Sequence, residues 1–257
     1  MAGSLKILGG IALLLGLAAA DAPPASYLAG HEPNVLAALP RPPAEGSPAD
    51  AADLAIFTQT RALKGTPRWE LATSDADLSK LLGDFDCAVG ARLSRASAPR
   101  LAAMIGKAAP DINAGFNLPK DTFKRLRPFQ RASGDICTPE QTAGLEKSWD
   151  YPSGHAAWAW TVGLILTRAA PDRASQILTR ARAFGESRVV CGVHDASAVV
   201  ASRVAADTVF AALEGDAAFQ TDLGAVRAEI QALRASGPKP DPAACKVEAD
   251  LIAARPW

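Results

Sequence analysis

The sequence is poor in the patterns that bind metals and nucleotides. Its 257 residues include only three histidines, and none of its four cysteines lies in a C-x-x-C pair. Structural zinc sites are usually built from such pairs. A glycine-rich phosphate loop of the G-x-x-x-x-G-K-S type is also missing. We therefore expect neither a metal nor a cofactor.

The sequence also has no excess of charge of either sign. Lys and Arg together number 27, Asp and Glu also number 27, and no polybasic run is present. Nucleic acids and anionic membrane surfaces bind proteins that carry extended positive patches. Neither is expected as a standing partner, and any positive charge in a functional site must be local.

Long apolar runs are scarce outside the N-terminus. A short basic stretch, 1–6, precedes the apolar run 7–20 and two A-x-A-like cleavage sites at 18–20 and 20–22. This order predicts a secretory signal peptide at residues 1–22. An uncleaved anchor is the alternative, but the run is shorter than the roughly 20 residues that a spanning helix needs. We expect a periplasmic or secreted protein, with no later spanning segment and no stable membrane association after leader removal.

The four cysteines are Cys87, Cys137, Cys191 and Cys245. An even number in an exported protein predicts two disulfides, for which three pairings exist. We favour Cys87–Cys137 together with Cys191–Cys245. Free buried thiols are the alternative.

Strand signals are absent as well. No useful length of sequence alternates apolar and polar residues, and no internal repeat is detectable. Apolar residues recur instead at helical spacing, which predicts an all-α, single-domain helical bundle at 49–257 after a Pro-rich extended arm at 23–48. The predicted helices lie at 49–64, 74–93, from Pro99 with a break near Pro110, 154–169, 172–187, and 195–233 with breaks at Gly215 or Gly224.

Positive charge is concentrated in one short segment of the chain. Residues 120–131 contain Lys120, Lys124, Arg125, Arg127 and Arg131. Taken alone, such a run is more often a solvated surface than a binding site.

Two of the histidines lie in contexts that suit anion chemistry. His155 follows Ser153 and Gly154 where a long apolar helix is predicted to begin with Ser153 as its N-cap, and a first helical turn attracts anions. His194 follows Arg188 by six positions. Two imidazoles with fixed cations suit a phosphate-like oxyanion, because Arg donates bidentate hydrogen bonds and His can act as nucleophile or proton donor near neutral pH.

Taken together, these clusters form a three-part pattern: Lys120, six residues, Arg127-Pro128; then Pro152-Ser153-Gly154-His155; then Ser187-Arg188, five residues, His194. The pattern resembles the signature of bacterial non-specific acid phosphatases of class A. These enzymes belong to the type 2 phosphatidic acid phosphatase superfamily, which also contains the vanadium haloperoxidases. Flanking segments, including 36–48 and 185–192, are similar too, so the resemblance covers most of the mature chain.

The resemblance implies an active site in the core of the helical bundle and metal-independent hydrolysis of phosphomonoesters through a phosphohistidine, with inorganic phosphate as product. By position, His194 corresponds to the nucleophile and His155 to the general acid. The phosphate-binding groups would be Lys120, Arg127, Ser153, the Gly154 backbone N–H and Arg188.

One departure from the family pattern concerns the nucleophile. The family has an aspartate four residues after this histidine, which orients the ring, whereas this chain has Ala198. Asp195 is a poor substitute, because residues one apart on a helix point about 100° away from each other. Ser197, a backbone carbonyl or another carboxylate could take over the task.

Other functions stay open at this point. Ala198 motivates a non-catalytic phosphate- or vanadate-binding homologue, and a vanadate-dependent haloperoxidase would use the same cations. The short chain disfavours the haloperoxidase, and the lack of spanning helices disfavours a membrane lipid phosphatase. The sequence leaves open the physiological substrate and whether the protein forms a homo-oligomer.

Overall fold

The computed structural model describes residues 26–257, and the predicted signal peptide, 1–22, lies outside them. Within the described residues the chain is helical and has no strand, which confirms the all-α prediction. The α-helices are α1 (Val35–Ala38), α2 (Pro48–Thr60), α3 (Pro67–Ser74), α4 (Asp86–Val89), α5 (Pro99–Phe123), α6 (Pro128–Arg131), α7 (Thr142–Leu145), α8 (Gly154–Ala169), α9 (Ala174–Val190), α10 (Ala196–Glu214), α11 (Ala217–Ser236) and α12 (Pro242–Ala253). Short 3₁₀ helices lie at Arg61–Leu63, Leu78–Lys80, Gly83–Phe85, Pro139–Gln141 and Pro171–Arg173.

Helix α8 lies at the centre of a bundle formed with α5, α9, α10 and α11. It begins where the sequence predicts, because the Ser153 side chain caps it by accepting a hydrogen bond from the Ala156 N–H at 3.3 Å. Most of its side chains are buried, as expected for a helix that is apolar nearly all round.

Helices α8 and α9 run antiparallel and approach each other closely. A Cβ built at Gly163 would lie 2.9 Å from the Cβ of Ala181, and one built at Gly185 would lie 3.4 Å from the Cβ of Ala156. Small residues on both helices therefore let the backbones come together. The first turn of α8 consequently lies beside the last turns of α9.

The described part of the predicted arm, 26–48, packs onto the bundle. Tyr27 and Val35 are buried in the same core as α8. The Tyr27 backbone N–H donates to Asp111 at 3.1 Å, and its hydroxyl donates to Asp222 at 2.6 Å. The arm also contains the helical turn α1.

The prediction of a single helix at 74–93 is wrong. Helix α3 ends at Ser74, and turns, two 3₁₀ helices and α4 follow. Asp77 accepts a hydrogen bond from the Ser79 N–H at 3.0 Å, and Asp86 accepts one from the Leu93 N–H at 2.6 Å. Aspartate side chains that bind nearby backbone groups compete with helical hydrogen bonding, so the segment folds as short turns.

The predicted break near Pro110 is also wrong, since α5 runs through Pro110 and Pro119. A proline costs a helix roughly 3 kcal/mol, but α5 packs along α10 and α11, and such packing supplies most helical stability. Of the glycines expected to split the last helical run, Gly215 lies between α10 and α11, whereas Gly224 lies inside α11.

From the sequence we predicted no later segment long and apolar enough to span a membrane, and helix α10 does not fit that prediction. By length and composition alone it is long and apolar enough to do so, but half of its most apolar window is buried in the protein. It packs against α5, α8 and α9, so it serves as a core helix of the bundle.

The predicted disulfide pairing is wrong. Cys87 pairs with Cys245, with Cα atoms 5.3 Å apart, and Cys137 pairs with Cys191, with Cα atoms 4.6 Å apart. The loop around Cys137 lies along the end of α9, where the Cys137 N–H donates to the Cys191 carbonyl at 2.9 Å. Which cysteines form a disulfide therefore depends on how the folded chain brings them together, and not on their proximity in sequence.

Non-reducing peptide mapping should recover one linked peptide pair containing Cys87 and Cys245 and another containing Cys137 and Cys191. Replacing either pair by serine should lower the free energy of unfolding by about 2–5 kcal/mol, because each bond closes a long loop of the unfolded chain. Denaturant titration measures this loss. A peptide joining Cys87 to Cys137 would contradict the pairing.

Candidate active site

The predicted site residues come from separate parts of the chain that meet at one end of the bundle. The first turn of α8 provides His155, the last turns of α9 provide Arg188, and the loop between α9 and α10 provides His194. Lys120 lies at the end of α5, and Arg127 directly precedes α6. The charges of Arg127, Lys120, Arg188 and His155 all act on the His194 ring.

The basic segment is not a solvated surface throughout. Lys124 and Leu126 are exposed, whereas Arg125 and Arg127 between and after them are buried. This alternation follows the end of α5, where Lys124 has a left-handed φ of 49°, and Arg127 has an extended backbone directly before α6. Two of the arginines thus point into the protein.

The His194 ring makes one hydrogen bond through each nitrogen. Its Nδ1 lies 2.9 Å from Oδ1 of Asp150, and its Nε2 lies 3.0 Å from Nη1 of Arg127. A guanidinium can only donate, so Nε2 must be the unprotonated acceptor and Nδ1 the nitrogen that carries the proton. Burial and the charges of Arg127, Lys120 and Arg188 hold the His194 pKa well below its usual range. The ring is therefore neutral, with a lone pair directed at the cations.

Asp150 is the side chain that sequence reasoning missed. It is fully buried, and its Oδ1 also accepts the Asp195 N–H at 3.1 Å. Burial raises the pKa of Asp150, while the charges of Lys120, Arg125 and Arg127 act in the opposite direction. Its position directly before the Tyr151–His155 motif segment was the only available signal, and nothing local distinguishes it from other loop carboxylates.

The substitutes considered from sequence are engaged elsewhere. The Ser197 hydroxyl donates to Asp53, and Asp195 pairs with Arg125 at 3.1 Å. Burial, together with the nearby charge of Asp150, raises the pKa of Asp195, while Arg125 and Arg131 act in the opposite direction. Ala198 is buried and offers only a methyl group.

Arg188 is a buried cation whose donors are incompletely used. Its side chain is 1% exposed, and within residues 26–257 its Nε and Nη1 atoms have no hydrogen-bond partner. Burial and the nearby charge of Arg127 lower its pKa to about 10. Leaving a buried charge without a partner is costly, so this guanidinium is suited to bind an anion.

The charged forms of the neighbouring cations are also disfavoured. Burial and the charge of Arg127 lower the pKa of Lys120 to about 7, and burial lowers the pKa of Arg127 to about 10. The Lys120 ammonium contacts the backbone carbonyl of Trp149. An oxyanion among these groups would relieve their repulsion.

His155 shares this environment. Its Nε2 lies 3.1 Å from the Ala76 carbonyl, so Nε2 donates and Nδ1 is the nitrogen that can take up a further proton. Burial and the charges of Arg188, Arg127 and Lys120 lower its pKa to about 3. Binding of an anion would offset those charges and favour the protonated ring.

Backbone donors lie next to His155. The first N–H groups of a helix have no partner within the helix, and Gly154 and His155 occupy these positions in α8. A Cβ at Gly154 would lie 2.9 Å from the Phe116 ring, so glycine is needed for that close packing. The Ser153 N–H is bound to the Ala198 carbonyl at 3.2 Å, which fixes the turn against α10.

A buried ion cluster fixes the last turns of α9. The Ser187 hydroxyl donates to Asp75 at 2.6 Å and accepts from Arg68 at 2.9 Å. Asp75 also accepts from Arg180, at 2.6 Å and 3.2 Å. The sequence pattern marked Ser187 without indicating this structural task.

The described residues contain no group of three or more His, Cys, Asp or Glu side chains arranged to hold a metal ion. The site is instead built from cations and hydrogen-bond donors around His194. Such a set can bind a tetrahedral oxyanion and offer it a nucleophilic nitrogen.

Comparison with protein families agrees with this geometry. A family profile described as PAP2 superfamily matches residues 101–213. The matched region includes every predicted site residue, from Lys120 to His194.

Curated relatives match most of the chain. An acid phosphatase of Zymomonas mobilis subsp. mobilis is 42% identical over 227 residues, covering 88% of this chain and 86% of the relative. A non-specific acid phosphatase of Salmonella typhi is 36% identical over 75% of this chain and 78% of its own length. One of Providencia stuartii is 33% identical over 77% of this chain and 82% of its own length.

Binding of a tetrahedral dianion should draw protons onto the site. Sulfate, which does not titrate in this range, should bind more tightly as the pH falls from about 8 to about 5, because it raises the lowered pKa values of His155 and Lys120. Calorimetry in buffers of different ionisation enthalpy should report proton uptake, which His155→Ala should reduce. An affinity for sulfate that does not change with pH would contradict this linkage.

Proposed function

The chain belongs to the PAP2 superfamily and, within it, to the bacterial non-specific acid phosphatases, and we propose that it is an exported phosphomonoesterase that acts through a phosphohistidine on His194. The observation that carries the mechanism is the His194 ring. Arg127 donates to its Nε2 and Asp150 accepts from its Nδ1, so an unprotonated nitrogen faces the cations. This is the form of imidazole that can attack phosphorus.

The cations and helix donors bind the phosphoryl group. The unpaired Arg188 N–H groups, Lys120, and the first N–H groups of α8 would each donate to a phosphoryl oxygen. Phosphorus must approach Nε2 of His194, so the Arg127–Nε2 hydrogen bond opens and Arg127 donates to the substrate instead. In oxyanion holes, loss of one such donor costs roughly 3–4 kcal/mol in the barrier.

In the first chemical step, the Nε2 lone pair of His194 forms a bond to phosphorus while the bond from phosphorus to the ester oxygen breaks. His155, protonated once the phosphate is bound, gives its proton to the departing alkoxide. The ring of His194 becomes cationic and keeps its Nδ1 proton, which donates to Asp150. Charge on the equatorial oxygens is stabilised by the surrounding donors.

In the second step, water attacks the phosphohistidine. Neutral His155 accepts a proton from the water as the new oxygen bond to phosphorus forms and the bond to Nε2 breaks. Inorganic phosphate leaves, and His155 releases to solvent the proton it now carries, so both histidines return to the neutral state. No metal takes part in the proposed scheme.

Export is supported by the two disulfides, which persist in oxidising compartments. A periplasmic or secreted location, action on phosphomonoesters, and the absence of nucleic-acid and membrane partners are parts of the same proposal. The non-catalytic alternative rested on Ala198, which cannot orient the His194 ring. Asp150 lies beside Nδ1 of that ring, so a carboxylate is present for this task.

Purified protein is expected to hydrolyse p-nitrophenyl phosphate between about pH 4 and about pH 7 with EDTA present, since the proposed site uses no metal. His194→Ala should lower kcat by roughly 10⁴-fold or more and abolish the acid-labile phosphoenzyme, because the nucleophile is lost. His31→Ala is the matched control, since His31 is an exposed histidine outside the site. No turnover by folded wild-type protein would refute the proposed activity.

His155→Ala should slow alkyl phosphates more than aryl phosphates with good leaving groups, because p-nitrophenolate leaves without a proton. The loss for alkyl esters should be about 10²–10⁴-fold, the usual contribution of general acid catalysis. Steady-state rates for a series of esters of increasing leaving-group pKa measure the difference. Equal losses across that series would rule out the acid role of His155.

A further inference from the structure

The carboxylate that binds His194 is not where the family pattern places it. The pattern has an aspartate four residues after this histidine, on what is here α10, and this chain has Ala198 there. Asp150 reaches the same ring from the segment that precedes α8, with its Oδ1 2.9 Å from Nδ1.

The segment that carries Asp150 lies beside position 198 in the fold. The Ser153 N–H donates to the Ala198 carbonyl at 3.2 Å. The Ser202 hydroxyl lies 2.8 Å from the Ser153 carbonyl and 2.7 Å from the Ala198 carbonyl, so it can donate to either. The segment before α8 is therefore adjacent to the first turn of α10, which carries position 198.

Asp150 is held more firmly than a loop residue usually is. Its backbone N–H donates to the Arg125 carbonyl at 2.9 Å, and its carboxylate lies 3.8 Å from Nε of Arg125. Arg125 is itself anchored by Asp50 at 2.9 Å and Asp53 at 3.0 Å. The Asp195 N–H directs Oδ1 of Asp150 from the other side, at 3.1 Å.

We propose that Asp150 is the positioning residue for His194 and that it replaces, from the segment before α8, the aspartate that relatives of this fold are expected to carry at position 198. It holds the proton on Nδ1, so that Nε2 is free to attack, and it stabilises the cationic ring of the phosphohistidine. This inference rests on the proposed phosphohistidine mechanism. It also means that the segment 150–155 carries both the group that orients the nucleophile and the proton donor His155.

Asp150→Asn keeps the shape of the side chain but adds a donor beside Nδ1. It should lower kcat for p-nitrophenyl phosphate by about 10²–10⁴-fold, by analogy with the loss of the orienting aspartate in a catalytic triad. KM and sulfate affinity should change by no more than about threefold, because the cations are untouched and sulfate forms no bond to Nε2. Asp250→Asn, in an exposed carboxylate of α12, is the matched control.

A structural role alone would give a different result. If kcat and sulfate affinity fell together, or if Asp150→Asn kept more than about a third of wild-type kcat, the proposal would be overturned. Circular dichroism and thermal unfolding of each variant establish that the folded protein is being compared.

A second variant tests whether the two positions are interchangeable. Adding Ala198→Asp to Asp150→Asn should restore kcat at least about tenfold, since a carboxylate would again face Nδ1. A folded double variant with no recovery would overturn the claim that Asp150 substitutes for position 198.

The tautomer of His194 can be measured without turnover. Nitrogen NMR of the wild-type protein should show a proton on Nδ1 and none on Nε2, and Asp150→Asn should disturb this assignment. If the wild-type protein does not hydrolyse phosphate esters, the phosphatase proposal fails on its own, while the NMR result still decides the role of Asp150. A wild-type His194 ring that is protonated on Nε2 would overturn the proposed role of Asp150.

Discussion

The guanidinium of Arg125 lies among four buried carboxylates, and the geometry of the site depends on this cluster. Asp50 and Asp53 reach it from α2, Asp195 from the start of α10, and Asp150 from the segment before α8. Removing one partner from such a buried cluster typically costs 3–5 kcal/mol. These ion pairs hold together the elements that carry His194 and His155, which are distant in the chain.

Next to this cluster, where carboxylates surround Arg125, lies a second group of side chains with an excess of positive charge: Lys120, Arg127 and Arg188. Arg125 is surrounded by carboxylates, whereas Arg188 has unpaired donors and Lys120 is bound only to backbone carbonyls among the described residues. This excess, together with burial, lowers the pKa values of both histidines. In the proposed mechanism, a bound phosphate group supplies the negative charge that the site lacks, and the same charge favours the protonated form of His155.

Local signals sufficed for some features and not for others. Pro152 and Ser153 define the start of α8 because a cap acts through its own helix. The family pattern identified His194 together with Lys120, Arg127, His155 and Arg188. The structure places the last four around the His194 ring. Arg125 and Arg127 look alike in sequence, however, and only the approach of α2 and α10 makes one structural. Asp150 and the disulfide pairs depend on the same long-range chain path, which local periodicity does not encode.

The close approach of α8 and α9 at Gly163 bears on any attempt to engineer this protein. Helix propensity would recommend alanine at an interior glycine, with a gain of about 1 kcal/mol. Here the added methyl would meet Ala181 at 2.9 Å and wedge the two helices apart. Those helices carry His155 and Arg188 at their facing ends, about two turns from the wedge. A screen for stabilised variants would then record a loss of activity for Gly163→Ala, although residue 163 lies outside the candidate site.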